Sequence, residues 1–308
     1  MDNVYLVQVN ERYGNNCFLP YSVGLLQAYC QSIPALAQAY AFPEMVYLRE
    51  NPDEVVERFA QPSVVGISCY IWNWEFSKAL ARSVKVRFPD CLVVLGGPQA
   101  PLRSEPFLLE HPSVDMIVHY EGEITFAEIL AERAGAHRFE RVEGISWRTQ
   151  SGEVLRTGKR ERLLDLTGLP SPYLTGVFDS LLAAPYAFHA SQETTRGCPY
   201  SCTFCDWGSS IFTKIRTFGE ERLCAEFEWM GQRQIDLLYN CDANYGLLPR
   251  DQALTERLVA VKHQYGFPKG IRAAYAKNSS EKVFDLARTL NDAGMSKGVT
   301  LSFQSVDA

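Results

Sequence analysis

Short apolar runs alternate with amphipathic stretches through roughly the first 135 residues, as βα units do. Residues 4–9, Val-Tyr-Leu-Val-Gln-Val, read as a first strand, and a loop follows through Gly14, Asn15 and Asn16. Pro20 opens a helix into an apolar stretch. Residues 45–48, 64–68, 91–95 and 115–118 read as the next four strands. Asn51-Pro52-Asp53 caps a helix to about residue 60. Phe76, Leu80, Val84 and Phe88 recur every fourth residue, one face of a helix. A further helix carries Phe126, Ile129 and Leu130. Five parallel strands with helices on both faces make a doubly wound α/β sheet, whose ligands sit beyond the carboxyl ends of the strands.

Residues 136–190 read as a connector. Residues 144–148 and 153–156 flank a turn at Gln150-Ser151-Gly152, a hairpin signal. Residues 169–174, Leu-Pro-Ser-Pro-Tyr-Leu, read as an extended crossing. The βα pattern then returns over residues 191–308. A helix at 221–230 turns Leu223, Phe227 and Met230 inward, and a strand spans 235–239. Leu254, Leu258 and Val261 mark a helix, 271–275 a strand, and Val283, Leu286 and Leu290 a helix stopped by Gly294. Residues 299–305 read as a last strand. A βα unit takes about 30 residues, so about four fit here.

Composition narrows the setting. With 308 residues, 46% hydrophobic and 21% charged, the chain suits a two-domain globular protein. No apolar run approaches the ~20 residues of a membrane span, and Met1-Asp2-Asn3 does not begin a signal peptide. A cytoplasmic protein without a membrane partner is expected. Nine cysteines there point to metal or redox chemistry more than to disulfides. The net charge of -6 argues against a nucleic-acid partner.

The densest chemistry lies in Thr194-Thr195-Arg196-Gly197-Cys198-Pro199-Tyr200-Ser201-Cys202-Thr203-Phe204-Cys205. Cys198, Cys202 and Cys205 stand at C-x3-C-x2-C, so one short loop carries three thiolates that can converge on one metal centre. A cubane [4Fe–4S] cluster normally takes four thiolates; three leave one iron open to a ligand. Structural zinc and reduced surface thiols are the plainer readings. Zinc usually takes a fourth Cys or His, and Cys224 and His189 stand at no recognisable spacing for it. The loop, with Phe204 before its last cysteine, resembles the signature of the radical S-adenosylmethionine superfamily. That resemblance implies that the three cysteines hold the cluster and that the open iron chelates S-adenosylmethionine.

Upstream, unusual residues gather where the predicted strands end: Ser68, Tyr70 and Trp72; Gly96, Gly97 and Pro98; and Glu121, Gly122 and Glu123. Glycines there let backbone approach a large planar ligand, although ordinary tight turns would use them too. Joined to the cysteine loop, this domain resembles the cobalamin-binding domain of cobalamin-dependent radical enzymes. The fold implied is an N-terminal doubly wound, Rossmann-like sheet (1–135), a connector with a hairpin (136–190) and a partial (β/α) radical barrel (191–308); the barrel of that superfamily has six units, so with about four here the resemblance implies a fragment or a shortened relative. One departure stands out. Relatives that supply a histidine to cobalt carry Asp-x-His-x-x-Gly after the first strand, whereas this loop reads Asn10-Glu11-Arg12-Tyr13-Gly14-Asn15-Asn16-Cys17. Cobalt is therefore expected to lack a histidine ligand, and Trp72 is the candidate to cover its lower face, against a plain core or interface role.

The resemblance assigns further roles. Phe204 would lie by the adenine of S-adenosylmethionine. Asp242, in Asp242-Ala243-Asn244 where the family more often has Gly-Gly-Glu, would face its amino group, and Ser302 and Gln304 its ribose or carboxylate. The activity implied is methyl transfer from methylcobalamin to an unactivated carbon of a small-molecule or peptide substrate through a 5′-deoxyadenosyl radical, in natural-product biosynthesis. A flavodoxin- or ferredoxin-like donor would supply the electron. Three readings stay open beside it: a radical cyclisation or ring rearrangement without methyl transfer, a methylthiotransferase with a second cluster on Cys17, Cys69 and Cys91, and a non-catalytic cobalamin or redox sensor.

Overall fold

The computed structural model describes residues 1–200, 202, 205, 214–277 and 281–296. The chain divides into two compact units. Met1–Gly14, Pro20–Arg162 and Thr175–Ala184 form the first; Asn15–Leu19, Leu163–Leu174 and Pro185–Ala308 form the second.

In chain order the strands of the first half are β1 (Asp2–Val7), β2 (Asn16–Phe18), β3 (Tyr40–Ala41), β4 (Pro62–Ser68), β5 (Leu92–Gly96), β6 (Met116–Val118), β7 (Ile145–Arg148) and β8 (Val154–Arg156). All but β2 form one seven-stranded sheet in the order β3-β1-β4-β5-β6-β7-β8. The first five are parallel, and the β7–β8 hairpin adds antiparallel to β6. The strand order reverses between β1 and β4, so the switch point of the sheet lies there.

The helices follow from local signals. Asn51 caps α3 (Pro52–Glu57) by accepting the Asp53 N–H at 3.0 Å, with Pro52 in the first turn. In α4 (Trp74–Arg87) the expected stripe is buried at Phe76, Leu80 and Val84. These two helices pack on one face of the sheet with Val7, Val65, Ile67, Val93 and Leu95. On the other face α1 (Tyr21–Ser32) packs against α6 (Glu123–Ala134). Gly66 matters there: a Cβ would stand 3.0 Å from Leu6 and the Phe126 ring, so its absence lets Phe126 reach the strand.

The second unit holds β9 (Ala187–Gln192), β12 (Leu237–Asn240) and β13 (Gly270–Arg272), which form a parallel sheet with β2 in the order β13-β12-β9-β2. A separate antiparallel ribbon pairs β10 (Thr195–Arg196) with β11 (Arg216–Thr217). The helices Glu220–Gln232, Asp251–Tyr265 and Glu281–Asp292 cover this unit. The predicted inward positions are buried in all three, and Gly266 ends the second in the left-handed conformation.

The structure departs from the sequence reading in several places. Residues 15–19, read as part of the first domain, give β2, which lies against β9 with Cys17 opposite Phe188. A three-residue run carries too little periodicity to announce a strand. The hairpin read as connector belongs to the first sheet, so neither 135 nor 190 marks the division. The second strand, expected at 45–48, is reduced to a bridge from Val46 to Val7, with β3 earlier at Tyr40–Ala41. The helices α2 (Pro34–Ala39) and α5 (Ser104–Glu110) and strand β9 have no counterpart in the sequence reading. The strand predicted at 299–305, and with it Ser302 and Gln304, lies outside the described residues, as does Phe204.

Candidate functional site

In the first unit the expected contact residues gather at one edge of the sheet. Ser68, Tyr70 and Trp72 follow β4, Gly96, Gly97 and Pro98 end or follow β5, and Glu121 and Gly122 lead from β6 into α6, where Glu123 is buried. Gly97 has φ of 93°, and a Cβ there would meet the Cys69 carbonyl at 2.7 Å. Any side chain would push the β4 and β5 loops apart. Tyr120, a non-glycine residue at φ 66°, holds the same edge in a strained conformation.

A neutral polar network crosses the switch point. The Gln8 Oε1, just past β1, accepts the Ser22 N–H at 2.9 Å and the Ser22 hydroxyl at 2.7 Å. With its proton committed there, Ser22 Oγ accepts from Ser68 at 3.0 Å and from the Tyr70 hydroxyl at 3.2 Å. The Tyr70 ring stacks on Trp72, centroids 4.6 Å apart and 10° from parallel. Buried Asn73 fixes the loop by accepting the Tyr70 N–H at 2.7 Å and donating to the Val9 and Ser68 carbonyls, each at 3.0 Å. Arg49 donates to the Trp72 carbonyl. Large apolar side chains are nevertheless exposed in the loops along this edge: Tyr13, Ile71, Trp72, Leu102 and Tyr120. Exposed apolar side chains of this kind are the surface a ligand could cover.

Behind β6, His119 Nε2 meets the Ser146 hydroxyl at 2.9 Å, and Ser104 donates to Ser146 at 2.7 Å. Burial, with some help from Arg156, pushes the His119 pKa down to about 4.

The second unit builds its site from charge. Asp242, two residues past β12, is 4% exposed. Its Oδ1 accepts the backbone N–H groups of Thr194 and Thr195 at 2.8 and 3.0 Å, and Oδ2 accepts the Thr194 hydroxyl. Burial pushes its carboxyl above the usual range, against the pull of these donors. Arg250 spans the two limbs of the cysteine loop, donating to the Phe218 carbonyl at 2.6 Å and the Thr194 carbonyl at 2.8 Å. The Phe218 ring lies near Arg222 and Arg196, at 4.3 and 5.5 Å. Fully buried Glu226 takes Arg222 Nε at 2.9 Å and Gln192 Nε2 at 2.6 Å. The β10–β11 ribbon is thus fastened at the base of the loop bearing the cysteines.

Cys198 is buried, and Cys202 and Cys205 are half-buried. The Cys205 N–H donates to the Cys202 carbonyl at 3.1 Å. Asn244 Nδ2 donates to Cys198 Sγ at 3.3 Å, while buried Asn244 Oδ1 has no partner among the described residues. Also among the described residues, no three His, Cys, Asp or Glu side chains close on one point as ligands of a single ion would. Of the other cysteines, Cys69 and Cys91 are buried in the first unit, their thiols pushed up to about 12 by burial, and Cys17 is buried in the second.

Comparison with known proteins places the chain. Residues 41–130 match the B12 binding domain family. The chain is 41% identical over 309 residues to the cobalamin-dependent radical SAM methyltransferase TokK of Streptomyces tokunonensis, covering 99% of this chain and 45% of that protein. It is 43% identical to the 2-(S-pantetheinyl)-carbapenam-3-carboxylate methyltransferase of Streptantibioticus cattleyicolor, covering 94% and 43%. Along nearly its whole length the chain is therefore similar to cobalamin-dependent radical S-adenosylmethionine enzymes. The fold agrees: the structure of the family enzyme OxsB with aqua-cobalamin and S-adenosylmethionine bound superposes with a TM-score of 0.68 at 18% identity, over 96% of this chain and 43% of that one. The chain spans slightly under half the length of the curated relatives it matches. No helix among the described residues is long and apolar enough to cross a membrane.

Within the family's plan, sequence reasoning missed the supporting residues: Gln8, Ser22 and Asn73 in the first unit, Arg250 and Asn244 in the second. Asn73 and Asn244 were visible only as polar residues in loops after strands. Their partners, up to 64 residues away in sequence for Asn73, are set by the fold. Asp242, expected to face an ammonium, spends both carboxylate oxygens on the chain's own Thr194 and Thr195.

Proposed function

We propose that this chain carries the cobalamin and cluster sites of a methyltransferase that acts on an unactivated carbon of a small molecule in natural-product biosynthesis. The observation that carries the reading is the 41–43% identity to two methyltransferases, which runs through both units. In one of those relatives the named substrate is a pantetheinylated carbapenam carboxylate, and that bicyclic class is the first to try here. When bound, cobalamin would supply the methyl group, and a [4Fe–4S] cluster would supply the electron that cleaves S-adenosylmethionine.

The chain's residues suit these groups. Cys198, Cys202 and Cys205 would each take a different iron of the cluster, which asks for looser gathering than one ion does. Asn244 Oδ1, a buried acceptor with no partner among the described residues, is better placed than Asp242 to receive the ammonium of S-adenosylmethionine, and Asp242 keeps the loop base in place. Phe204, Ser302 and Gln304 remain the proposed contacts to adenine and to ribose or carboxylate. The edge lined by Ser68, Tyr70, Gly96, Gly97, Pro98, Glu121, Gly122 and Glu123 would hold cobalamin, with its exposed apolar rim excluding water. Trp72 would cover the face that lacks a histidine. The electron would come from a flavodoxin- or ferredoxin-like protein, in the cytoplasm.

The test is anaerobic purification and an absorption spectrum, followed by incubation with S-adenosylmethionine, reductant and the pantetheinylated carbapenam. Bound cobalamin and a methylated product are expected. A chain that neither contains nor takes up cobalamin would sink the proposal. Release of 5′-deoxyadenosine without methyl gain would favour the ring-rearranging alternative.

A further inference from the structure

We infer that Asn244 is a positioning residue for the cluster that sets its reduction potential through an N–H···S hydrogen bond to Cys198. The inference rests on the cluster reading above and adds to it a residue and a direction of effect.

The contact is specific. Asn244 Nδ2 lies 3.3 Å from Cys198 Sγ, within reach of a hydrogen bond to sulfur. A metal-bound thiolate has no proton to give, so only the N–H edge of the amide suits it. Both residues are buried, at 7% and 4% exposure, whereas Cys202 and Cys205 are half-buried. The donor thus falls on the sulfur that water solvates least, where a single dipole counts most.

Asn244 is also held in place. The Asp242 N–H donates to Asn240 Oδ1 at 3.1 Å. The Tyr245 N–H donates to the Ala274 carbonyl at 2.8 Å, and its hydroxyl meets Thr255 Oγ1 at 2.7 Å. Asp251 Oδ2 receives the Gly246 and Leu248 N–H groups at 3.0 and 2.9 Å. A loop fastened on both sides of Asn244 presents its amide in one orientation. The cysteine limb is fastened to this same loop through Thr194 and Thr195 on Asp242. Donor and acceptor are therefore held together by segments that are clamped directly to one another, as an interaction that orients a metal ligand requires.

The consequence is electrostatic. Hydrogen bonds to cluster sulfurs are among the determinants of potential. A donor to Cys198 stabilises the reduced cluster, which carries the extra negative charge. Its removal should lower the midpoint potential, and a carboxylate in its place should lower it further.

The experiment compares the reconstituted wild type with Asn244→Leu, of similar size without a donor, and Asn244→Asp. Iron and sulfide are measured, and the reduced cluster is titrated by electron paramagnetic resonance against poised potential. The expected order of midpoint potential is wild type, then Asn244→Leu, then Asn244→Asp, with the reduced fraction at fixed potential falling about fivefold in the first step, the worth of one ordinary hydrogen bond. Resonance Raman should show Fe–S stretching bands less sensitive to deuterium oxide in both variants. Full iron with unchanged potential and unchanged isotope sensitivity would overturn the proposal. If neither variant holds iron while the wild type does, tuning is also overturned, in favour of a role in assembly. A wild type without a cluster would instead overturn the reading beneath.

Discussion

The two units hold their sites by different means. In the first, the edge is fixed by neutral groups: Gln8, Ser22, Ser68 and Asn73 join the ends of β1 and β4, and the aromatic residues beyond them face outward. In the second, the loop base is fixed by buried charge: Asp242 takes three donors from Thr194 and Thr195, and Arg250 bridges Thr194 to Phe218. A broad planar ligand is received by a flat rim. A loop whose thiolates must sit at fixed separations needs its ends clamped. Neutral networks tolerate the loss of one member, whereas a buried carboxylate or its orphaned donors do not.

The largest expected effect breaks the second site outright. Cys198→Ala, Cys202→Ala and Cys205→Ala should each lose the cluster on reconstitution, because each removes one of three loop thiolates. Cys30→Ala and Cys224→Ala should retain full iron: Cys30 is buried in α1 with its thiol pushed up to about 12, and Cys224 lies on the helix Glu220–Gln232. Iron and sulfide assays decide, and retention of a full cluster by any loop variant would refute the assignment.

Next comes the clamp. Asp242→Ala leaves the buried N–H and hydroxyl of Thr194 and the half-buried N–H of Thr195 without their acceptor, at a cost of about 3 kcal/mol. Hydrogen exchange should accelerate at Thr194 and Thr195 while the first unit keeps its protection. Asp242→Asn keeps an acceptor and should cost less. Equal protection in all three proteins would show that the clamp is not where the loop is held.

The cysteine motif was the most legible feature of the sequence, yet its support was the least. Spacing within one loop is local, whereas Asp242 and Arg250 reach Thr194 across 48 and 56 residues. The first sheet shows the converse. β1, β4, β5, β6 and the helix Trp74–Arg87 were legible because periodicity reports burial, and the residues singled out after β4, β5 and β6 fall on one edge because strands place their ends together. Short elements escaped: β2 has three residues, and its partner β9 begins 169 residues after Phe18. Such pairing belongs to topology and leaves no local trace.

A smaller effect tests the first unit by pH. His119 is neutral in the folded chain, its pKa pushed down to about 4 from 6.5. Between those values the unfolded chain binds the extra proton, so stability falls as pH drops through this window. The contribution is on the order of 2 kcal/mol. His119→Gln should flatten this part of the urea midpoint against pH, leaving the slope due to carboxylates. Parallel curves for the two proteins would exclude the effect.

The smallest effect separates holding from facing within the neutral site. Tyr70→Phe keeps the ring that stacks on Trp72 but removes the hydroxyl that donates to Ser22 Oγ at 3.2 Å. One ordinary hydrogen bond should go, about 1 kcal/mol of stability. Ser22 keeps its bonds to Gln8 and Ser68, so the network relaxes without collapsing. Trp72→Ala should behave oppositely. The side chain is 42% exposed, and truncating a surface group costs little, within about 0.5 kcal/mol. Its loss would instead open the edge to water and shift the absorption spectrum of bound cobalamin. Urea unfolding and cobalamin spectra of the two variants, read side by side, should move in one measurement each. If Trp72→Ala destabilises the fold and leaves the spectrum untouched, Trp72 is a structural residue, and the face it was assigned must be covered by something else.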